Sequence, residues 1–427
     1  MTEPLRLGVA GLGTVGVGVL KIARRHADLI AARSGRPVTV SAVSARDRSR
    51  DRGVSLDGLA WEADAVALAR RDDVDVLVEL IGGDAGPAKD AVEAALDAGK
   101  DVVTANKAML ALHGAALARR AEANGAALRY EAAVAGAIPV IKVLSESFAA
   151  NEATRVMGVM NGTCNYILTR MESAGLPYEE VFEEANALGY LEADPTLDVG
   201  GIDAAHKLAL LSALAFGTPP AFDAVEIEGI ERVSIQDIRF AADMGYRIKL
   251  LGVAQVTGRG LEQRMSPCLV PANSPLGQLE GATNMTVLEG DAAGQIVLRG
   301  AGAGEGPTAS AVWSDIVDLA RGLRIPAFGR PVDQLRAIAP AQSATPAPWY
   351  LRLTLQDKPG ALGKIAVALG EGGVSIDRMR QYDHEGDAPV LIVTHPARRA
   401  AVREAVEATE ASGVLAEPPV ALRIERP

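Results

Sequence analysis

The chain has 427 residues, enough for two or three domains at roughly 150 residues each. Its 43 Lys and Arg against 54 Asp and Glu give a net charge of −11, which argues against nucleic acid or an anionic membrane as a partner. Hydrophobic residues at 48% and aromatics at only 4% suit a folded protein whose apolar bulk is Ala, Val and Leu, and remove the stacking platforms of single-strand binders. Two cysteines, Cys164 and Cys268, cannot build a disulfide framework or a four-thiolate metal site. No basic and apolar leader opens the sequence, and no run reaches about 18 uncharged apolar residues, so a cytoplasmic protein is expected.

In chain order, residues 5–10 read as a short buried strand running into Gly11-Leu12-Gly13-Thr14-Val15-Gly16, then a helix to about Arg33. Strands follow at 38–43, 74–81, 101–104 and 128–134. Between them lie helices from about Pro87 to Ala98 and from about Lys107 to Asn124. Strands alternating with helices predict an α/β fold with a doubly wound parallel sheet of Rossmann type over residues 1–140. Beyond 140 the rhythm changes. Strands are expected at 154–160, 247–256, 285–289 and 295–299, and helices from Asn161, at 178–188, 201–216, 234–244 and 308–321. This is an α+β substrate and dimerisation domain over 141–337 whose last helix returns to the first domain. Residues 338–348, with three prolines among small residues, read as an extended linker. From 349 to 427 the pattern is βαββαβ.

Gly11, Gly13 and Gly16 stand where a phosphate cradle needs them, between a strand and a helix start, with Thr14 and Val15 supplying further backbone amides. At the end of the second strand, where an acidic residue would hold a ribose hydroxyl, the sequence has Arg46, followed by Asp47. A guanidinium suits a 2′-phosphate, so NADP is favoured; NAD stays open because Asp47 could reach a ribose. Thr104 and Lys107 lie at the carboxyl end of a parallel strand, where ligands bind in such sheets. The densest polar segment is Gly189 to Lys207. In it Asp203 and Lys207 stand four apart on one face of a helix that continues almost wholly apolar, and charges entering such an element need partners. His206 points elsewhere and reads as structural. A second glycine run, 300–306, also opens a helix and could face a cofactor from the other side.

Together these segments resemble the homoserine dehydrogenase family over essentially the whole chain. The marks are Gly-Leu-Gly-Thr-Val-Gly at 11–16, Thr-Ala-Asn-Lys at 104–107, Met-Asn-Gly-Thr-Cys-Asn-Tyr-Ile-Leu at 160–168, the stretch 189–207 and Gly-Ala-Gly-Glu-Gly-Pro-Thr-Ala at 302–309. The tail resembles an ACT domain, with Asp357-Lys358-Pro359-Gly360 matching its ligand loop. The resemblance implies NAD(P)H-dependent reduction of L-aspartate 4-semialdehyde to L-homoserine, in the biosynthesis of threonine, methionine and isoleucine. It implies Lys207 as proton donor, Lys107 near cofactor and substrate, and Glu192 and Asp203 as substrate-binding carboxylates. Thr104, Gly189 and Gly304 match cofactor contacts. Glu131, Val134, Gly136 and Ile138 match a monovalent-cation site, expected to take sodium. The tail implies threonine as a feedback ligand and a homodimer or homotetramer. Two other readings stay open on the residues: a dehydrogenase of the same architecture for another amino-acid aldehyde, and a non-catalytic nucleotide and amino-acid sensor. A sensor has no use for Lys107, Glu192, Asp203 and Lys207 together.

Overall fold

In the computed structural model, which describes residues 3–191, 194–382 and 388–426, the first part of the chain forms six strands. They are β1 (Leu5–Ala10), β2 (Val38–Ser44), β3 (Ala60–Glu62), β4 (Val76–Glu79), β5 (Asp101–Thr104) and β6 (Leu128–Arg129). All pair in parallel, in the order β3-β2-β1-β4-β5-β6. Helices α1 (Thr14–Arg25), α2 (Ala27–Ser34), α3 (Ala65–Arg70), α4 (Pro87–Asp97) and α5 (Lys107–Ala123) are the crossovers. Strand order reverses between β1 and β4, so the loops leaving these two strands open a crevice at the sheet's carboxyl end.

Three local expectations change. The helix expected to reach Arg33 breaks at His26, whose backbone leaves the helical region (φ −121°, ψ 24°). The short strand β3, without the length or alternation of its neighbours, went unread. The strand expected over 128–134 stops at Arg129, because the Glu131 amide donates to Asp315 Oδ2 at 2.7 Å and the chain turns there through a 3₁₀ turn.

The remaining helices are α6 (Val140–Lys142), α7 (Gly162–Ala174), α8 (Tyr178–Ala187), α9 (Thr196–Val199), α10 (Ile202–Phe216), α11 (Ile235–Asp243), α12 (Glu305–Ala320), α13 (Ala361–Glu371) and α14 (Arg399–Ala411). The strands are β7 (Ala153–Val159), β8 (Glu226–Ile227), β9 (Tyr246–Thr257), β10 (Gly260–Pro271), β11 (Thr283–Gly290), β12 (Gly294–Ala301), β13 (Trp349–Leu355), β14 (Ile376–Gln381), β15 (Ala388–Thr394) and β16 (Val420–Ile424). The tail is thus βαββαβ, as its pattern predicts. Its sheet, however, does not stand alone. β16 pairs in parallel with β10, Cys268 against Arg423 and Leu269 against Ile424. One ten-stranded sheet results, ordered β12-β11-β7-β9-β10-β16-β13-β15-β14, with β8 also on β10.

The sequence reading missed β10, and its composition explains why. Glu262, Gln263 and Arg264 interrupt the apolar pattern, yet all three are buried. Arg264 bonds Glu262 at 3.0 Å and Glu425 at 2.5 Å, and Glu425 in turn pairs with Arg423 and Arg155. Charges paired across the β10–β16 seam can be interior where unpaired ones could not. Residues 338–348 are not a free tether either. The Leu261 amide donates to Ala339 O and the Ala341 amide to Leu261 O, both at 2.9 Å, and Thr345 bonds Glu262 through both its amide and its hydroxyl.

α12 leaves the middle of the chain and packs on α1: Trp313 Nε1 donates to Val19 O at 3.0 Å, and Lys21 pairs with Glu305 at 2.8 Å. Its residues Ala309, Val312, Trp313 and Ile316 share a core with β1, β2 and β4.

Candidate active site

α10 is apolar along most of its length and buried, and it carries Asp203 and Lys207 on one face at its start. Asp203 Oδ2 takes the Lys207 ammonium at 2.7 Å, while Oδ1 takes Lys107, from the first turn of α5, at 3.0 Å. Lys207 also donates to Met160 O at 3.0 Å. Asn161 caps α7 by accepting the Cys164 amide at 2.8 Å, and its Nδ2 reaches Asp198 at 2.9 Å and Asp203 Oδ2 at 3.3 Å. Asp203 is 6% exposed and Lys207 9%. Burial by itself would raise the Asp203 carboxyl, but Lys207 and Lys107 outweigh it and hold it well below the usual carboxylate range. The group is therefore a permanent anion that fixes two ammonium groups at the wall of one cleft.

That cleft holds about 480 Å³. Lys107, Asp203 and Lys207 line it beside Asn161, Gly162 and Thr163 at the start of α7, and Gly189 and Tyr190 after α8. Its other walls are Val15 in the first turn of α1 and Gly302, Ala303 and Gly304 before α12. Val15 of the first glycine run and residues 302–304 of the second therefore line one cavity. In the first run, a Cβ on Gly11 would lie 2.4 Å from Leu80 O, and one on Gly16 would lie 2.0 Å from Gly11 O, so both must be glycine for the turn to close. A Cβ on Gly13 would meet nothing within 4 Å. That open space, next to a helix start without a side-chain cap, fits a dinucleotide's pyrophosphate. Gly304, also uncapped, begins α12 in the same way with φ +116°.

The other sequence-selected residues fall in different places. Thr104 is wholly buried, and its hydroxyl donates to Glu79 Oε2 at 2.5 Å, so Ala105 rather than the Thr104 side chain faces the cleft. Arg46 is exposed just beyond β2. Asp47 is turned onto Ser49, whose hydroxyl and amide it accepts at 2.7 and 2.8 Å; these bonds draw its carboxyl below the usual range. Glu192 lies outside the described residues. His206 stacks on Phe222 with ring centres 4.2 Å apart, and burial lowers its pKa, in keeping with a structural part.

Glu131 is buried, its carboxylate accepting the Ile141 amide at 3.0 Å and the Lys142 amide at 2.9 Å; burial, then Asp315, pushes its carboxyl up to about 7. Val134, Gly136 and Ile138 follow in one tight loop. A Cβ on Gly136 would lie 2.5 Å from the Gly302 backbone, which ties this loop to the cleft wall. A buried carboxylate and the backbone carbonyls of the loop that follows it are hard-oxygen groups, the kind that a monovalent cation takes.

Residues that the sequence reading passed over also belong to the site. Asn161 and Asp198 stand inside quoted motifs but carried no role; the helix-capping signal of Asn161 was the available clue. Thr163 donates to Tyr190 O at 2.8 Å and so fastens the loop after α8. Asn284, on β11, carried no local signal at all.

Comparison with known proteins agrees with this geometry. Residues 11–131 match the profile of the homoserine dehydrogenase NAD-binding domain, 139–317 that of homoserine dehydrogenase, and 349–411 that of the ACT domain. The homoserine dehydrogenase of Neisseria gonorrhoeae is 41% identical over 433 residues, covering 99% of both chains. That of Corynebacterium glutamicum is 40% identical, covering 98% of this chain and 95% of its own. Among solved structures, a homoserine dehydrogenase from Thiobacillus denitrificans superposes with a TM-score of 0.93 at 39% identity, over 99% of both chains. A hyperthermophilic archaeal homoserine dehydrogenase in complex with NADPH gives 0.64 at 26% identity, over 76% of this chain and all of its own.

Proposed function

The chain belongs to the homoserine dehydrogenase family of NAD(P)-dependent oxidoreductases acting on a CH–OH group, and we propose that it reduces L-aspartate 4-semialdehyde reversibly to L-homoserine. The observation that carries this reading is the Asp203 carboxylate between the Lys207 and Lys107 ammonium groups in a cleft that Val15 of the first glycine run and residues 302–304 of the second also line. Bound NAD(P)H supplies the hydride. As the aldehyde carbon accepts it, negative charge grows on the carbonyl oxygen; the Lys207 ammonium stabilises that charge and gives up its proton there. Lys107 shares the charge. Asp203 anchors both amines and, with Glu192, offers carboxylate oxygens to the substrate's α-ammonium. Asn161 fixes the rotamer of Asp203. Homoserine-dependent reduction of NADP, followed by absorbance, tests the reading. Absence of turnover with homoserine, with dinucleotide binding intact, would favour a sensor.

Arg46 at the end of β2, with Asp47 turned onto Ser49, supports a preference for NADP over NAD. Arg46→Ala is expected to raise KM for NADPH about tenfold and leave that for NADH within twofold. Equal changes for both cofactors would remove Arg46 from the discrimination.

Glu131, Val134, Gly136 and Ile138 would hold the cation, whose charge offsets that of a buried carboxylate. Sodium is expected to raise Tm relative to choline at equal ionic strength, and Glu131→Gln to abolish the difference. Identical melting of the parent protein in both salts counts against the site.

The ACT module supports feedback by an amino acid, with threonine the expected ligand, in a homodimer or homotetramer; light scattering would give the mass. Asp357→Ala in the loop before α13 should relieve inhibition by threonine at least tenfold while leaving uninhibited kcat unchanged. Unaltered inhibition would place the ligand elsewhere. The same reading expects a cytoplasmic enzyme; among the described residues no helix is long and apolar enough to cross a membrane.

A further inference from the structure

The segment 228–234, between β8 and α11, is tied to the tail at one end and to the turn between α9 and α10 at the other. At the tail end Arg352, on β13, donates from Nε to Asp237 Oδ1 at 2.6 Å, and the two are 7% and 1% exposed. The same carboxylate closes a capping box. Its Oδ2 accepts the Ser234 hydroxyl at 2.6 Å and amide at 3.2 Å, while Ser234 Oγ accepts the Asp237 amide at 3.1 Å. At the other end the Ile230 amide donates to Val199 O at 2.9 Å. A Cβ on Gly229 would lie 2.5 Å from that oxygen and 2.8 Å from Gly200 Cα, so backbone presses on backbone here. Val199 ends α9, whose Asp198 takes Asn161 at 2.9 Å, and Asn161 reaches Asp203 at 3.3 Å. Hydrogen bonds and a short run of chain thus lead from the tail's sheet to the carboxylate between the two lysines.

We propose that the Arg352–Asp237 pair couples the tail to the cleft, so that where β13 sits sets where α9 and Asp203 sit; this rests on the reading of the cleft as the active site. The pair itself points to a positional task. Two apolar side chains of like volume would fill the place without the desolvation that a buried pair carries, and often with equal or greater stability. They would also be free to slide. A guanidinium presents its N–H groups in a fixed fork, and Ser234 holds Asp237 from the other side, so one register is kept between β13 and the start of α11. The second arm of Arg352 rests on Glu417 at 3.1 Å, which also takes the Thr354 hydroxyl at 2.9 Å, so Arg352 moves with the tail's own sheet. Farther along α11, Phe240 packs on Tyr382 with ring centres 4.7 Å apart, and Asp243 accepts the Tyr382 hydroxyl at 2.8 Å. The helix is therefore fastened to the tail at both ends. Such coupling is reciprocal: filling the cleft must bear on the tail joint as much as the tail bears on the cleft.

Hydrogen–deuterium exchange of the full-length protein tests this, measured alone and with NADPH plus homoserine, two reduced compounds that cannot react together. The ligands should slow exchange in residues 198–207 and, through the joint, in 230–238 and 350–355 by at least about fivefold. In Asp237→Asn, which keeps an acceptor for Ser234 but loses the charge, protection of 198–207 should remain and that of 350–355 should fall below about twofold. Arg352→Met carries the same expectation should the first variant fold poorly. A pair that only stabilised the fold would change exchange equally with and without ligands, so the ligand-dependent difference is the quantity to read. Absence of a ligand effect at 350–355 in the parent protein overturns the coupling. So does an effect that survives in a folded variant, which would leave the β10–β16 seam as the route. Unchanged exchange at 198–207 in the parent protein would instead overturn the reading of the cleft.

Discussion

Lys207→Met lowers kcat for homoserine oxidation by about 10²–10⁴-fold, the range that a positioned acid–base group contributes, while Kd for NADP stays within about twofold. The asymmetry follows from where the amine sits. It bonds Asp203 and Met160 O, whereas the proposed dinucleotide cradle would be backbone around Gly13 and Gly304. Met fills the same space, and Asp203 keeps Lys107 as a partner at 3.0 Å, so folding is largely spared. Lys207→Arg separates two roles of the amine. Arginine retains the charge but does not release a proton at working pH. If charge stabilisation alone mattered, the Arg variant would recover most of kcat; recovery below about tenfold assigns the proton to Lys207. Unchanged kcat in the Met variant would exclude this residue from the mechanism.

Asp203→Asn has the second large effect, and it acts on stability as well as on rate. Removing the carboxylate takes away the charge that the buried Lys207 and the partly exposed Lys107 share, and breaking a buried pair in this way costs about 3–5 kcal/mol. The pH dependence follows from the depressed carboxyl. A group whose folded-state value lies below its unfolded value stabilises at every pH above the unfolded value, and that contribution is lost as pH falls toward the folded one. The stability gap between parent and variant in urea should thus be constant from about pH 5 to 8 and shrink below about pH 4. kcat/KM should fall at least about 10²-fold, because both amines lose the carboxylate that they share. Coincident urea curves at pH 7 would mean that the three groups are not coupled.

The i,i+4 spacing of Asp203 and Lys207 was legible because a local period reports what shares a helix face. The contact of Asp203 with Lys107 was not, since it joins helices of two different domains and no local pattern encodes it. The parallel sheet could be read from its apolar runs. β10 could not, because Glu262 and Arg264 look like surface residues until Glu425 and Arg423 arrive from the far end of the chain. Asn284 stayed silent for a related reason: a single polar residue within a strand says nothing of the cavity it borders. Thr104 shows the converse. Its position at a strand end suggested a ligand contact, but Glu79 on the neighbouring strand takes its hydroxyl.

The seam between β10 and β16 bears on how a signal would travel and on how the protein can be taken apart. β9 and β10 form the floor on which α10 rests, and α10 carries both Asp203 and Lys207. A ligand that shifted the tail would load that floor through the seam, so the proposed sensing and the catalytic site would share one mechanical element. Amputating residues 349–427 would leave an open edge on β10 and strip Arg264 and Arg155 of Glu425. Such a truncation would report on a damaged enzyme and not on an unregulated one. The tail is a bead in the sequence and a wall stud in the building.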